Sequence, residues 1–137
     1  MGGFVVVYTS RMIRLTENEF AELVEEALGA LPEQFGPYMD NISVEIQPRP
    51  TREFMRQNFI EGSTHDLLGL YVGTALPDKS VSAPVDWPER IYIFQRNIEA
   101  VCDTHDDVVE EVYLTVLHEI GHHFGMDEDD LAEFGYG

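Results

Sequence analysis

The residues best suited to chemistry lie in one stretch, "LTVLHEIGHHFGMDEDDL" (114–131), where three of the chain's five histidines occupy six positions beside a run of carboxylates. His118, Glu119 and His122 form H-E-x-x-H. Residues four apart share one face of an α-helix, so the imidazoles of His118 and His122 can hold one metal ion together. Glu119 flanks that face, where its carboxylate can take a proton from a metal-activated water. The chemistry this spacing points to is metal-assisted hydrolysis, with Glu119 as general base.

Two imidazoles leave a third protein ligand to find, because catalytic zinc is usually held by three side chains plus water. Gly125 provides the route, since glycine readily adopts the left-handed backbone that ends a helix and turns the chain back. Glu128 follows three residues later, at the last position of H-E-x-x-H-x-x-G-x-x-ligand, and is the favoured third ligand. Asp127 comes next and Asp129 last. One of these acids can instead meet the N-terminal dipole of a short helix expected over "DDLAEFG" (129–135). Zinc is the default ion for two imidazoles and a carboxylate, although iron, nickel and manganese fit the same donors. His123 points away from the shared ion, toward the Val112 and Val116 side of the helix, and reads as a partly buried hydrogen-bonding residue. His65 and His105 have no partner at ligand spacing and read as surface residues. Cys102 is the single cysteine, so no intrachain disulfide forms, and it reads as a small packed hydrophobe.

The elements that must position these groups follow from periodicity. A long helix is expected from near Thr104 to Gly125. At about 100° per residue, Val109, Val112, Tyr113, Val116, Leu117, Ile120 and Phe124 gather in one apolar arc. Glu111, Thr115, His118, Glu119 and His122 gather on the other side, so a core face and a face carrying the whole motif are separate. Upstream, "TENEFAELVEEALGALP" (16–32) opens with a capping box, Thr16 with Glu19, and Phe20, Leu23, Val24, Ala27 and Leu28 then repeat at helical spacing. Three strands are expected: "ISVEIQ" (42–47), "LLGLYVG" (67–73) and "RIYIFQ" (90–95). The separator "TALPDKSVSAPVDWPE" (74–89) holds three of the seven prolines and reads as a long loop. Residues 1–11 contain "FVVVYTS", either an edge strand or an extension upstream of a start at Met12, so one domain is expected over 12–137.

A chain of 137 residues suits one domain with a real core and is short for two. Its 44% hydrophobic and 25% charged residues are ordinary for a globular protein. Its net charge of −18, from 26 acidic and 8 basic side chains, is not ordinary. Such a field repels phosphate backbones and anionic lipid, so no nucleic-acid or membrane partner is expected. The acidity reads first as a solvated, self-repelling surface that keeps a small protein soluble, with attraction of cationic peptides or metal ions as the alternative. The N-terminal apolar run is only about five residues long with arginines after it, neither a signal peptide nor a transmembrane helix. The expectation is a cytoplasmic monomer.

Beyond the motif, "EFAELVEEALGALPEQF", "LLGLYVG", "PERIYIFQRNIEAVC" and above all "EVYLTVLHEIGHHFGMDEDDLAEFGY" make most of residues 12–137 resemble the bacterial minimal zincins, or zincin-like metallopeptidases. The resemblance implies an α/β fold of the α+β kind: a small mixed sheet of about three to four strands beside the H-E-x-x-H helix and an N-terminal helix. It implies zinc held by His118, His122 and an acidic residue after Gly125, with Glu119 as general base. The broader clan often has a third histidine where Glu128 stands, and a carboxylate there reduces the Lewis acidity of the ion. The function expected is a zinc-dependent metallopeptidase acting on a peptide or protein substrate. Tyr71, Tyr136 and His65 are candidates for the oxyanion partner, and "LLGLYVG" is either a sheet edge for an extended peptide or an ordinary strand with glycine at a tight contact. The alternative is a metal-containing peptide- or protein-binding domain with little turnover, in which His65, His105 or Cys102 closes the fourth metal position. A deformylase-like amidase ranks lower, because the motif cysteine such enzymes use is not evident around Cys102.

Overall fold

The computed structural model describes residues 13–73, 89–126 and 129. The first long helix, α1 (Glu17–Gly29), starts where the sequence places it. Thr16 Oγ1 accepts from the Glu19 N–H at 3.1 Å, and Glu19 Oε1 accepts from the Thr16 N–H at 2.9 Å. Such a cap contributes about 1 kcal/mol. Phe20, Val24 and Ala27 on its apolar stripe are buried, with Leu23 and Leu28 packed beside them. A single 3₁₀ turn (Glu33–Phe35) and the short α2 (Gly36–Met39) lead into β1 (Ile42–Gln47). Then follow α3 (Arg52–Gln57), β2 (Gly69–Val72), β3 (Glu89–Phe94), α4 (Gln95–Ala100) and α5 (His105–His123).

Among the described residues the strands form one mixed sheet in the order β1-β3-β2. β1 runs parallel to β3, with Val44 opposite Ile91 and Ile46 opposite Ile93. β2 runs antiparallel to β3, with Gly69 opposite Ile93 and Tyr71 opposite Ile91. Alternation then gives the sheet two faces. Ile91 and Ile93 are fully buried in one core with Phe20 and Val24 of α1 and Val108, Val112, Val116, Leu117 and Ile120 of α5. On the other face Tyr92 and Phe94 stack, and Phe54 of α3 sets its ring edge-on to both. The expected α+β arrangement, a small mixed sheet beside the motif helix and the N-terminal helix, is what the chain adopts.

The differences from expectation lie at element ends. β2 spans 69–72 rather than 67–73, and β3 spans 89–94 rather than 90–95. Gln95 opens α4 instead of closing a strand, because its amide is buried and donates to Leu15 C=O at 3.0 Å and to Glu99 Oε2 at 2.9 Å. Glu99, only 3% exposed, also accepts from the Leu15 N–H and from Arg96. Beside it Asn97 donates to the carbonyls of Thr64 and Leu67 and accepts from Arg49. These three buried polar residues tie the entrances of α1 and β2 to the end of β3. The 74–88 loop, the N-terminal "FVVVYTS" and, Asp129 aside, the closing helix "DDLAEFG" lie outside the described residues. No helix among the described residues is long and apolar enough to cross a membrane.

Candidate metal centre

The motif helix α5 is fixed at both ends by local chemistry. Thr104 and Asp107 form a capping box at its start. At its end Gly125 takes φ +79°, and its N–H donates to His122 C=O while the Met126 N–H donates to Gly121 C=O at 2.7 Å. This is the left-handed closure expected of Gly125. The helix stops at His123, two residues short of the expected end. Phe124, placed by periodicity in the apolar arc, is instead the C-cap residue, 41% exposed and packed on Tyr38 with ring centroids 4.3 Å apart. Val108, left out of that arc, is fully buried.

Between the caps, the polar face carries the motif. The rings of His118 and His122 lie one turn apart with centroids separated by 4.1 Å, His118 half-buried and His122 exposed. Two imidazoles so arranged suit a borderline ion such as zinc. Glu119 sits between the helix and the sheet, where its Oε1 accepts from the backbone N–H of Tyr71 at 2.9 Å. That bond matters because β2 is the outermost strand on this side of the sheet among the described residues. The β2–β3 register, with the Phe94 N–H donating to Leu68 C=O, pairs Leu70 and Val72 with β3 and turns the polar groups of Gly69 and Tyr71 away from β3. The carboxylate of the candidate base is therefore held on the side of β2 that no described strand pairs.

Gly69 makes this approach possible. A Cβ there would lie 2.7 Å from Thr115 Cγ2 and 2.8 Å from Tyr92 C=O. An open groove of about 340 Å³ runs beside this contact and ends at His118 and Glu119.

The other sequence candidates separate. His123 stacks on Tyr71 with centroids 3.9 Å apart, and its Nε2 is 3.6 Å from Glu89 Oε1. It thus lies against Tyr71 and Glu89 rather than on the Val112 and Val116 side expected of it, and the residue is exposed rather than partly buried. The Tyr71 hydroxyl also donates to Glu89, and burial first, then this bond and the Glu89 charge, push the phenol's pKa well above its ordinary value. The hydroxyl of this oxyanion candidate is thus engaged elsewhere. Glu89 was not anticipated; nothing in its local sequence marks it, since its partners come from β2 and α5. His65 is exposed and bonded to Ser63, His105 is the exposed first residue of α5, and Cys102 is buried. Burial above all, then the charges of Glu111, Asp107, Asp103 and Glu99, push the Cys102 thiol up to about 12, which suits a packing role. Among the described residues no group of three His, Cys, Asp or Glu side chains is placed to hold a metal, so none of these three closes a site with His118 and His122. Asp127, Glu128 and Tyr136 lie outside the described residues; Asp129 is exposed.

A solved structure described as a conserved hypothetical protein from "Thermo thermophilus" is similar in fold, with a TM-score of 0.52, 23% identity, and coverage of 80% of this chain and 94% of that one. No curated protein matches the chain. The model of a family described as zincin-like metallopeptidase matches residues 39–136, from just before β1 through α5 and the acids beyond it. With the matched span covering the sheet and the whole H-E-x-x-H helix, the chain belongs to the zincin-like metallopeptidase family.

Proposed function

We propose that the protein is a zinc-dependent peptidase that hydrolyses peptide bonds with Glu119 as general base. The observation that carries this reading is the 2.9 Å bond from the Tyr71 N–H to Glu119, which sets the carboxylate of the motif beside β2, on the side that no described strand pairs. His118, His122 and an acid after Gly125, with Glu128 favoured over Asp127 and Asp129, would hold the ion. Zinc in such a site supplies Lewis acidity, polarising a carbonyl and lowering the pKa of water toward neutrality. The chain's own residues do the rest. The Tyr71 C=O, the backbone group of that residue not engaged by Glu119, is left to receive an N–H of an extended peptide, which orders the substrate along β2. Glu119, oriented by the Tyr71 N–H, takes the proton of the attacking water and passes it to the leaving amine. Tyr71 is itself positioned by its stacking on His123 and its bond to Glu89.

Glu119→Gln keeps the shape of the side chain and removes its basicity. The expected outcome is unchanged zinc content by metal analysis with hydrolysis of a peptide library lowered by about a hundredfold or more. Cleavage by the native protein should disappear when the ion is chelated. Full turnover by the glutamine variant would overturn the mechanism, and no cleavage by native zinc-loaded protein would favour a binding module.

A further inference from the structure

The groove that ends at His118 and Glu119 has a second end. It runs along α5 between Leu67 and Leu68, at the entrance to β2, and Leu114 and Thr115 on the helix, and it reaches Glu111. Glu111 precedes His118 by seven residues, about 10 Å or two turns along the same face. Gly69 adds no side chain to the space between. Among the described residues the walls between the two ends are thus three leucines with Gly69 and Thr115, and the Glu111 carboxylate stands at the end away from His118. Among the described residues that carboxylate makes no hydrogen bond or ion pair, and it is only half-exposed. The charge acting most directly on it is another acid, Glu110.

The chemistry of an occupant follows from these parts. An apolar side chain would suit the leucines but would strip more water from a carboxylate that has no partner, which is unfavourable. An acidic one would add like charge. Lysine and arginine carry an aliphatic stem that lies well on apolar surface and a cationic head at its tip. The chain's net charge of −18 favours the approach of such a peptide.

We propose that this groove is the specificity pocket of the peptidase and takes a lysine or arginine side chain of the substrate next to the scissile bond, its stem along Leu67, Leu68 and Leu114 and its cation on Glu111. The proposal rests on the peptidase reading above and names the substrate class of that site. Glu111 acts on the substrate side chain and has no part in moving the proton.

The test uses Ala/Gly peptides, blocked at both ends, that carry a single lysine, arginine, norleucine or glutamate. For the zinc-loaded native protein, kcat/KM for the lysine and arginine peptides should exceed that for norleucine by about tenfold, the size of one charge-assisted contact. In Glu111→Gln the ratio should fall to near one, and Glu111→Lys should turn the preference toward the glutamate peptide. A ratio of one in the native protein, or a ratio that survives Glu111→Gln, overturns the proposal. The same peptides titrated by fluorescence anisotropy onto zinc-loaded Glu119→Gln give the ratio without turnover. A basic preference in binding that Glu111→Gln removes upholds the pocket even where nothing is cleaved, an outcome that counts only against the hydrolase. Equal or absent binding of all four peptides overturns the pocket.

Discussion

Glu119 and Glu111 are carboxylates on one face of one helix, and their surroundings divide their work. The first receives a backbone N–H from Tyr71; the second receives none among the described residues. Desolvation, reinforced by Glu110, raises the Glu111 pKa above its ordinary 4.5. The folded protein therefore binds this proton more tightly than the unfolded chain does, so the associated stability is present at low pH and lost as pH rises past 4.5. Glu111→Gln removes that loss. Its melting temperature should match the native value near about pH 4 and exceed it at neutral pH, as followed by circular dichroism; the opposite sign would refute burial as the cause. At this scale the sequence was informative where chemistry depends on local spacing. His118, Glu119 and His122 were legible because a helix brings i and i+4 together. Glu89 was not, since its contacts with Tyr71 and His123 join residues 18 and 34 positions apart, and no local pattern encodes them.

Each helix that positions the site is bounded by groups that the sequence displays. Thr16 with Glu19, and Thr104 with the start of α5, are local caps; Gly125 is a local stop. β3 is different. Alternation in "RIYIFQ" continues through Gln95, but the chain turns into α4 there because Gln95 and Glu99 reach the backbone of Leu15, some 80 residues away in sequence. The contact between β2 and α5 is also tertiary, and it rests on Gly69. Gly69→Ala would drive a methyl into Thr115 and into the fixed carbonyl of Tyr92. The expected cost is about 1–3 kcal/mol, seen as a melting temperature several degrees lower, with a larger loss of peptide turnover than of zinc content as Glu119 moves from β2. A native melting curve for this variant would show that the strand yields freely.

For the molecule as a whole, an ion held by α5 and the acids after Gly125 would join the end of the motif helix to the segment beyond it. An ion that binds only the folded state adds stability of about 4 kcal/mol at a thousandfold excess over its dissociation constant. It also offsets part of the self-repulsion of a chain with net charge −18. Zinc should thus raise the melting temperature of the native protein and fail to raise that of His118→Ala or His122→Ala. Among the three acids, Glu128→Ala should lose most of the zinc-dependent increment and Asp127→Ala less, measured by differential scanning fluorimetry with and without chelator. An equal increment in all variants would remove these residues from the metal site.

By itself the sequence determined the helices with their caps, the existence of three strands, and a metal motif kept apart from the core face of its helix. These are properties of a few consecutive residues, set by backbone geometry and by the periods 3.6 and 2. Tertiary structure alone decided which described strand lies outermost beside α5, that its Tyr71 N–H holds Glu119, that His123 turns to Tyr71 and Glu89, and that Glu111 ends a groove lined by leucines. Each of those depends on strand order and on the close approach at Gly69, which are fixed only when the sheet packs against α5.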